Sequence, residues 1–220
     1  MTGAWLDQVF GETVRTYPWV RPSDEDLDAA CRLVKGLRRP IITMNFGVGE
    51  NQLKRMGGDF EASLVAHLIR EGATIILDKG AGEEETRRAD TVIGQATQID
   101  CEGRRVRAFE IDEHYLLQDP VAGAPDAEML VWNGRIGLLA ALISQSNLYI
   151  GYDSAGQHIA AALGVPCIDV FAGFSSNRML ERWRPTGEGE TRVVVVDSIP
   201  QAIAERVLED VLGHAKDLLW

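Results

Sequence analysis

Four groups of residues have the types and spacing to do chemistry. Asp153, Ser154, Gly156 and His158 fall where an apolar run gives way to a helical segment, so a carboxylate, a hydroxyl and an imidazole meet the free N–H groups of a helix start. That grouping suits an anion or a set of sugar hydroxyls; Asp153-Ser154 reads equally as a helix N-cap, and His158 as a packed residue. Lys54 lies in a loop opened by Gly47-Val48-Gly49. Backbone N–H groups there can approach a phosphate that an ammonium neutralises, although the spacing is not a Walker A, and a solvated lysine is the plainer reading. Glu83-Glu84-Glu85 follow Gly80-Ala81-Gly82 at a strand's end. Carboxylates at such a position favour the helix dipole and can also accept ribose hydroxyls. Gly173, Ser175 and Ser176 follow the next strand, where they form either a diphosphate cradle or an ordinary turn and cap.

These residues need elements to hold them. The stretch 148–173 reads as strand, turn, helix and strand: apolar runs at 148–152 and 167–171 flank a helical segment around 158–163, which Gly164 and Pro166 punctuate. That is one right-handed βαβ unit of a parallel sheet, with its polar residues at the strands' carboxyl ends, where open α/β sheets bind ligands. Upstream, 40–46 and 73–77 read as strands and 60–70 as a helix closed by Gly72, and a short helix is expected from 83 to about 90. A hairpin turning at Glu102-Gly103 is expected within about 97–111, followed by a loop near 119–125. The rhythm resumes with a strand at 129–132, helices at 136–144 and 177–183, a strand at 192–196 and a long helix from 199 to 219. Residues 1–39 are expected to hold a linker and one helix that Ser23 caps, residues 40–198 a Rossmann-like, doubly wound parallel sheet, and residues 199–220 a C-terminal helix.

Composition narrows the classes. A chain of 220 residues can bury a substantial core, and a net charge of -11 argues against a nucleic-acid or anionic-membrane partner, either of which would want a basic face. Cys31, Cys101 and Cys167 are odd in number and too scattered for a metal site, so they read as reduced thiols of a cytoplasmic protein. The longest apolar runs are strand-sized, and no membrane span is expected. Trp5, Trp19, Trp132, Trp183 and Trp220 read as core or interface residues.

The block running from Asp153 through Ser154, His158, Ala160-Ala161-Ala162-Leu163-Gly164 and Pro166, with Phe171 and Gly173 beyond, resembles the D-(S/T)-G-x-x-H-x-A-A-A-L-G-x-P…F-G-P-T pattern of glycosyltransferase family 9, the heptosyltransferases of lipopolysaccharide core synthesis. The loop at Lys54-Arg55 is similar to that family's G-A-x…K-R-W-P loop, residues 80–85 to its G-x…E segment, and residues 134–146 to its alanine- and leucine-rich helix. Ala155 stands where the pattern has glycine, Met56-Gly57 where it has W-P, and Ala172 and Phe174 flank Gly173.

The resemblance implies the C-terminal, donor-binding half of a GT-B glycosyltransferase, inverting and independent of metal or cofactor. Its donor would be a nucleoside diphosphate sugar, with ADP-heptose the family default, and its acceptor a glycan or lipid-linked sugar. Carried over, Lys54 would hold the donor phosphate, Glu84 the ribose hydroxyls and Asp153 the transferred sugar; Ser154, Gly156, His158, Ser175 and Ser176 would shape the diphosphate site. An N-terminal acceptor domain, lacking here, would supply the catalytic base, and the full-length enzyme would lie in the cytoplasm, peripheral at the inner membrane. Two alternatives stay open: a GT-B-like sugar-nucleotide epimerase, and a non-catalytic domain that binds nucleotide sugar or a partner protein, which the changes at Ala155 and around Gly173 motivate.

Overall fold

The computed structural model describes residues 8–11, 17–49, 51–101, 104–117, 125–197 and 203–220. In chain order the elements are α1 (Asp24–Val34), β1 (Ile41–Asn45), α2 (Phe60–Arg70), β2 (Thr74–Asp78), α3 (Glu83–Ala96), β3 (Asp100–Cys101), β4 (Arg104–Arg105), β5 (Ala108–Asp112), α4 (Glu113–Leu117), β6 (Met129–Asn133), α5 (Ile136–Ser144), β7 (Leu148–Tyr152), α6 (Ala155–Ala162), β8 (Cys167–Phe171), α7 (Asn177–Trp183), β9 (Thr191–Val195) and α8 (Ala204–Leu219). A 3-10 turn, Gln52–Lys54, lies between β1 and α2.

Seven strands form one sheet in the order β5-β6-β2-β1-β7-β8-β9, and every pairing in it is parallel. The expected doubly wound α/β fold is present. Strand side chains alternate between two apolar layers. Ile42, Met44, Leu77, Ile150 and Val170 pack with α2, α3 and α8; Ile41, Ile76, Trp132, Tyr149 and Cys167 pack with α1, α5 and α6. Strands covered on both faces become continuous apolar runs, which is why most were visible in the sequence. Small residues seat α6: Ala160 and Ala161 are fully buried against the second layer.

The winding sets the position of the site. From β1 the chain proceeds through α2 to β2 on one side; from β7 it proceeds through α6 to β8 on the other, although β1 and β7 are neighbours. Their connecting helices lie on opposite faces of the sheet. A crevice therefore opens at the carboxyl ends of these two strands, the switch point of the fold.

The middle of the chain differs from expectation. The hairpin is confined to β3 and β4, which pair antiparallel. Residues 108–112, expected in its second arm, instead form β5, a parallel edge strand against β6. An edge strand buried on one side only has a weak pattern, with Ile111 its buried member. Helix α3 runs on to Ala96 because Val92 and Ala96 reach the first apolar layer. The loop expected near 119–125 lies mostly outside the described residues, as does the start expected for the last helix and Trp5. Trp132 is in the core, whereas Trp19, Trp183 and Trp220 are exposed. Among the described residues no helix is long and apolar enough to cross a membrane.

Helix α1 is tied to the domain by a specific contact. Ser23 caps it by accepting from the Asp26 N–H at 3.1 Å. The buried Asp26 carboxylate takes both arms of the Arg135 guanidinium, from Arg135 Nη1 at 2.8 Å and from Nη2. The Arg135 hydrogen bond holds the Asp26 carboxyl below its usual range. A lowered carboxyl contributes stability that is complete above the unfolded value near 4 and is lost as pH falls through the folded value. Asp26→Ala should cost about 1–3 kcal/mol at neutral pH by urea unfolding, and the difference from the parent chain should shrink below pH 3.

Candidate functional site

A cleft of about 350 Å³ sits at the switch point. Asn45 and Asp78 come from the ends of β1 and β2, Gly80, Ala81 and Glu85 from the start of α3, Gly134 from the turn after β6, and Asp153, Ser154 and Gly156 from the turn into α6. Glycines let these loops converge. A side chain at Gly47 would strike the Glu85 carboxylate, and one at Gly156 the Tyr149 ring.

Lys54 and Asp153, 99 positions apart, form the central contact. Lys54 Nζ donates to Asp153 Oδ2 at 2.6 Å and to the Asp153 backbone carbonyl at 3.1 Å. Asp153 Oδ1 accepts from Gln157 Nε2 at 3.0 Å. Asp153 is buried and the Lys54 side chain is only 17% exposed. His158, half-buried one turn along α6, is held below its ordinary pKa by burial; Asp153 opposes and Lys54 reinforces that effect. Gly173 completes the surroundings of Lys54. Its φ of 65° is left-handed, and a Cβ there would meet the Leu53 carbonyl carbon at 2.5 Å and the Lys54 nitrogen at 2.8 Å, so only glycine lets the lysine loop pass this close to the end of β8.

A buried strut fixes the register of this pair. Tyr152, immediately before Asp153, accepts from the Met56 N–H at 3.1 Å, two residues after Lys54. Its hydroxyl donates to Glu61 Oε1 at 2.9 Å, and Arg88 pairs with the other Glu61 oxygen. One tyrosine thus ties the lysine loop to the aspartate turn and both to α2.

The three glutamates divide their work. Glu85 lines the cleft and accepts from the Gly49 and Ala81 N–H groups, each at 2.9 Å. Glu84 lies outside the cleft lining; Arg55 grips it through two bonds of 2.9 and 3.0 Å, and Gln52 adds a third at 3.1 Å. Ser175 and Ser176 are exposed, and Ser176 caps α7 by accepting from the Met179 N–H at 3.3 Å. Of the expected residues, Asp153, Ser154 and Gly156 line the cleft; Lys54 and His158 adjoin Asp153 and Gly173 adjoins Lys54 without being part of that lining, Gly47 faces Glu85, Glu84 is held by Arg55, and Ser175 and Ser176 are exposed.

Three polar residues at the site were not singled out from the sequence. Asn45 donates to Asp78 Oδ2 at 2.7 Å, and burial pushes the Asp78 carboxyl up to about 6. Asp169 pairs in register with Gly151, which in turn pairs with Asn45, so Asp78, Asn45 and Asp169 share one face of the sheet. Asp169 is fully buried, and neither of its oxygens has a hydrogen-bond partner among the described residues. Burial, then the Asp153 charge, push its carboxyl up to about 8, against the pull of Lys54. The available signal was a single acid inside an otherwise apolar strand.

The comparisons with known proteins agree with this architecture. Residues 133–214 match the family model of glycosyltransferase family 9 (heptosyltransferase). A glycosyl transferase family 9 structure from Veillonella parvula is similar over 97% of this chain and 57% of its own, with 19% identity and a TM-score of 0.65. E. coli ADP-heptose lps heptosyltransferase II is similar over 91% and 55%, with 19% identity and a TM-score of 0.56. E. coli heptosyltransferase WaaC, solved with ADP, is similar over 94% and 53%, with 14% identity and a TM-score of 0.56. At these identities the likeness is one of fold, and the chain spans just over half the length of each structure. No curated protein matches it.

Two measurements check the buried groups. Tyr152→Phe leaves Glu61 and the Met56 N–H short of a partner and should cost about 1–3 kcal/mol in urea unfolding. Asp169 is neutral in the folded chain across a range where the unfolded chain has it ionised, so it withdraws stability as pH rises from about 4 to about 8. Asp169→Asn should then stabilise the chain at pH 8 by on the order of a few kcal/mol and leave it almost unchanged at pH 4.

Proposed function

We propose that this chain is the donor-binding half of a glycosyltransferase that holds a nucleoside diphosphate sugar at the carboxyl ends of β1 and β7. One observation carries the reading: Lys54 places its ammonium at the turn into α6, beside a buried aspartate, at the switch point of the sheet. The first N–H groups of α6 and the lysine supply positive charge where a diphosphate leaving group would gather negative charge. Asp153 and Glu85 supply acceptors for hydroxyls a short distance away. The family match over β7, α6 and β8 supports the same reading.

In this account the sugar is transferred with inversion and without a metal, Lys54 providing the counter-charge to the departing diphosphate. Adenine is the first base to test, because one solved structure of this fold carries ADP and another is named for ADP-heptose. A heptose-like sugar and a glycan or lipopolysaccharide-type acceptor are the corresponding substrates. We assign the acceptor site and the general base to the part of such an enzyme that the solved structures have beyond the span of this chain.

The test is a calorimetric titration of the chain with ADP, GDP, UDP and ADP-sugars. Saturable binding of one nucleotide, weakened at least about tenfold in Lys54→Ala, is expected for the loss of a charge-assisted contact. Equal affinity in Lys54→Ala would remove the lysine from the phosphate site.

A further inference from the structure

Two of the three ammonium donors of Lys54 are occupied. Its ammonium is committed to two oxygens of one residue, Asp153 Oδ2 and the Asp153 carbonyl. The other carboxylate oxygen is committed to Gln157, a side chain with no exposed surface. Lys54 is the only cation paired with Asp153 among the described residues. The lysine cannot give full strength to an incoming anion while it holds the aspartate, and the aspartate cannot be left alone, because a buried carboxylate without its counter-ion is strongly disfavoured.

We infer that the Lys54–Asp153 ion pair is a latch that opens by exchange: an anionic group of the ligand takes Lys54, and a hydroxyl of the same ligand takes the vacated Asp153 oxygen. This rests on the reading of the cleft as a nucleoside diphosphate sugar site and deepens it. A ligand that carries both a diphosphate and a hydroxylated group on it satisfies both halves of the latch. A bare diphosphate draws the lysine away and leaves Asp153 uncompensated. The pair thereby selects the intact sugar donor over the spent nucleotide, and it favours release of the product once the sugar has left. Gln157 holds the other Asp153 oxygen throughout, so the carboxylate stays in place while its partner changes. The Tyr152 strut keeps the lysine loop within reach of the aspartate turn, so the exchange needs a movement of the lysine side chain alone.

The exchange can be tested with inorganic pyrophosphate, which carries the charge and no hydroxylated group. Asp153→Asn keeps the size of the side chain and an oxygen for Gln157, while it frees Lys54. The latch predicts that Asp153→Asn binds pyrophosphate about tenfold more tightly than the parent chain, as expected when a charge-assisted contact no longer has to be broken. Lys54→Gln should lose the binding. In the parent chain, the lysine side-chain ¹⁵N resonance that is missing from Lys54→Gln should shift at saturating pyrophosphate; this readout does not depend on the aspartate variant folding. Saturable binding that is equal or weaker in Asp153→Asn, or a Lys54 resonance that stays put, would overturn the latch while leaving the cleft an anion site. Absence of pyrophosphate binding in both the parent chain and Asp153→Asn would overturn the latch and the diphosphate reading together.

Discussion

The site depends on a single contact between segments that leave the sheet for opposite faces. Lys54 belongs to the loop after β1, Asp153 to the turn after β7, and the switch of winding direction between these neighbouring strands is what brings the two loops over one crevice. Without the ion pair, the turn into α6 would keep a buried carboxylate beside the buried Asp169, two acids in one low-dielectric region. With it, one ammonium serves both: it pairs with Asp153 and lowers the field at Asp169. The glycine at position 173 and the tyrosine at 152 are consequences of the same need, one making room for the lysine loop and the other fastening it.

The acids around the crevice have distinct electrostatic states because their surroundings differ. Glu84 is exposed and held by an arginine, which keeps its carboxyl below the usual range. Asp78 is buried but accepts from the Gly80 backbone N–H and from Asn45, so its rise stops at about 6. Asp169 has burial without a hydrogen bond and rises to about 8. The order follows from desolvation set against hydrogen bonding to the charged form. The neutral acid Asp169 therefore lies behind a turn whose Asp153 carboxylate is paired with Lys54.

The fold was legible in the sequence wherever a strand is covered on both faces, since β1, β2, β6, β7 and β8 are predominantly apolar runs followed by glycines or polar residues. It was illegible at β5, an edge strand with one buried side chain, whose membership of the main sheet comes from pairing with β6, a segment some twenty residues on. Within the site, Lys54 and Asp153 stood out as residue types at strand ends. Their contact did not, because a pairing across 99 positions is a product of topology. Tyr149 and Tyr152 were invisible as polar groups because in an apolar strand a tyrosine looks like any other aromatic residue. Asp169 left a mark, one charge in a buried strand, but its relation to Gly151 and Asn45 follows from strand order.

The overall charge of -11 stands against an anionic ligand, and under the proposed function a local group has to overcome it. Exposed charges are screened beyond about 8 Å at physiological ionic strength, so most of the surface acids contribute weakly at the crevice. Lys54 is mostly removed from solvent, and its field is screened far less. The first N–H groups of α6 add to it within one helical turn. Lys54 is paired with Asp153, so the charge that a compact diphosphate would meet under the proposed function becomes free only when that pair exchanges partners. Under the proposed function, net charge would keep extended polyanions off the surface while the local group recognises a compact one, the two acting at different distances.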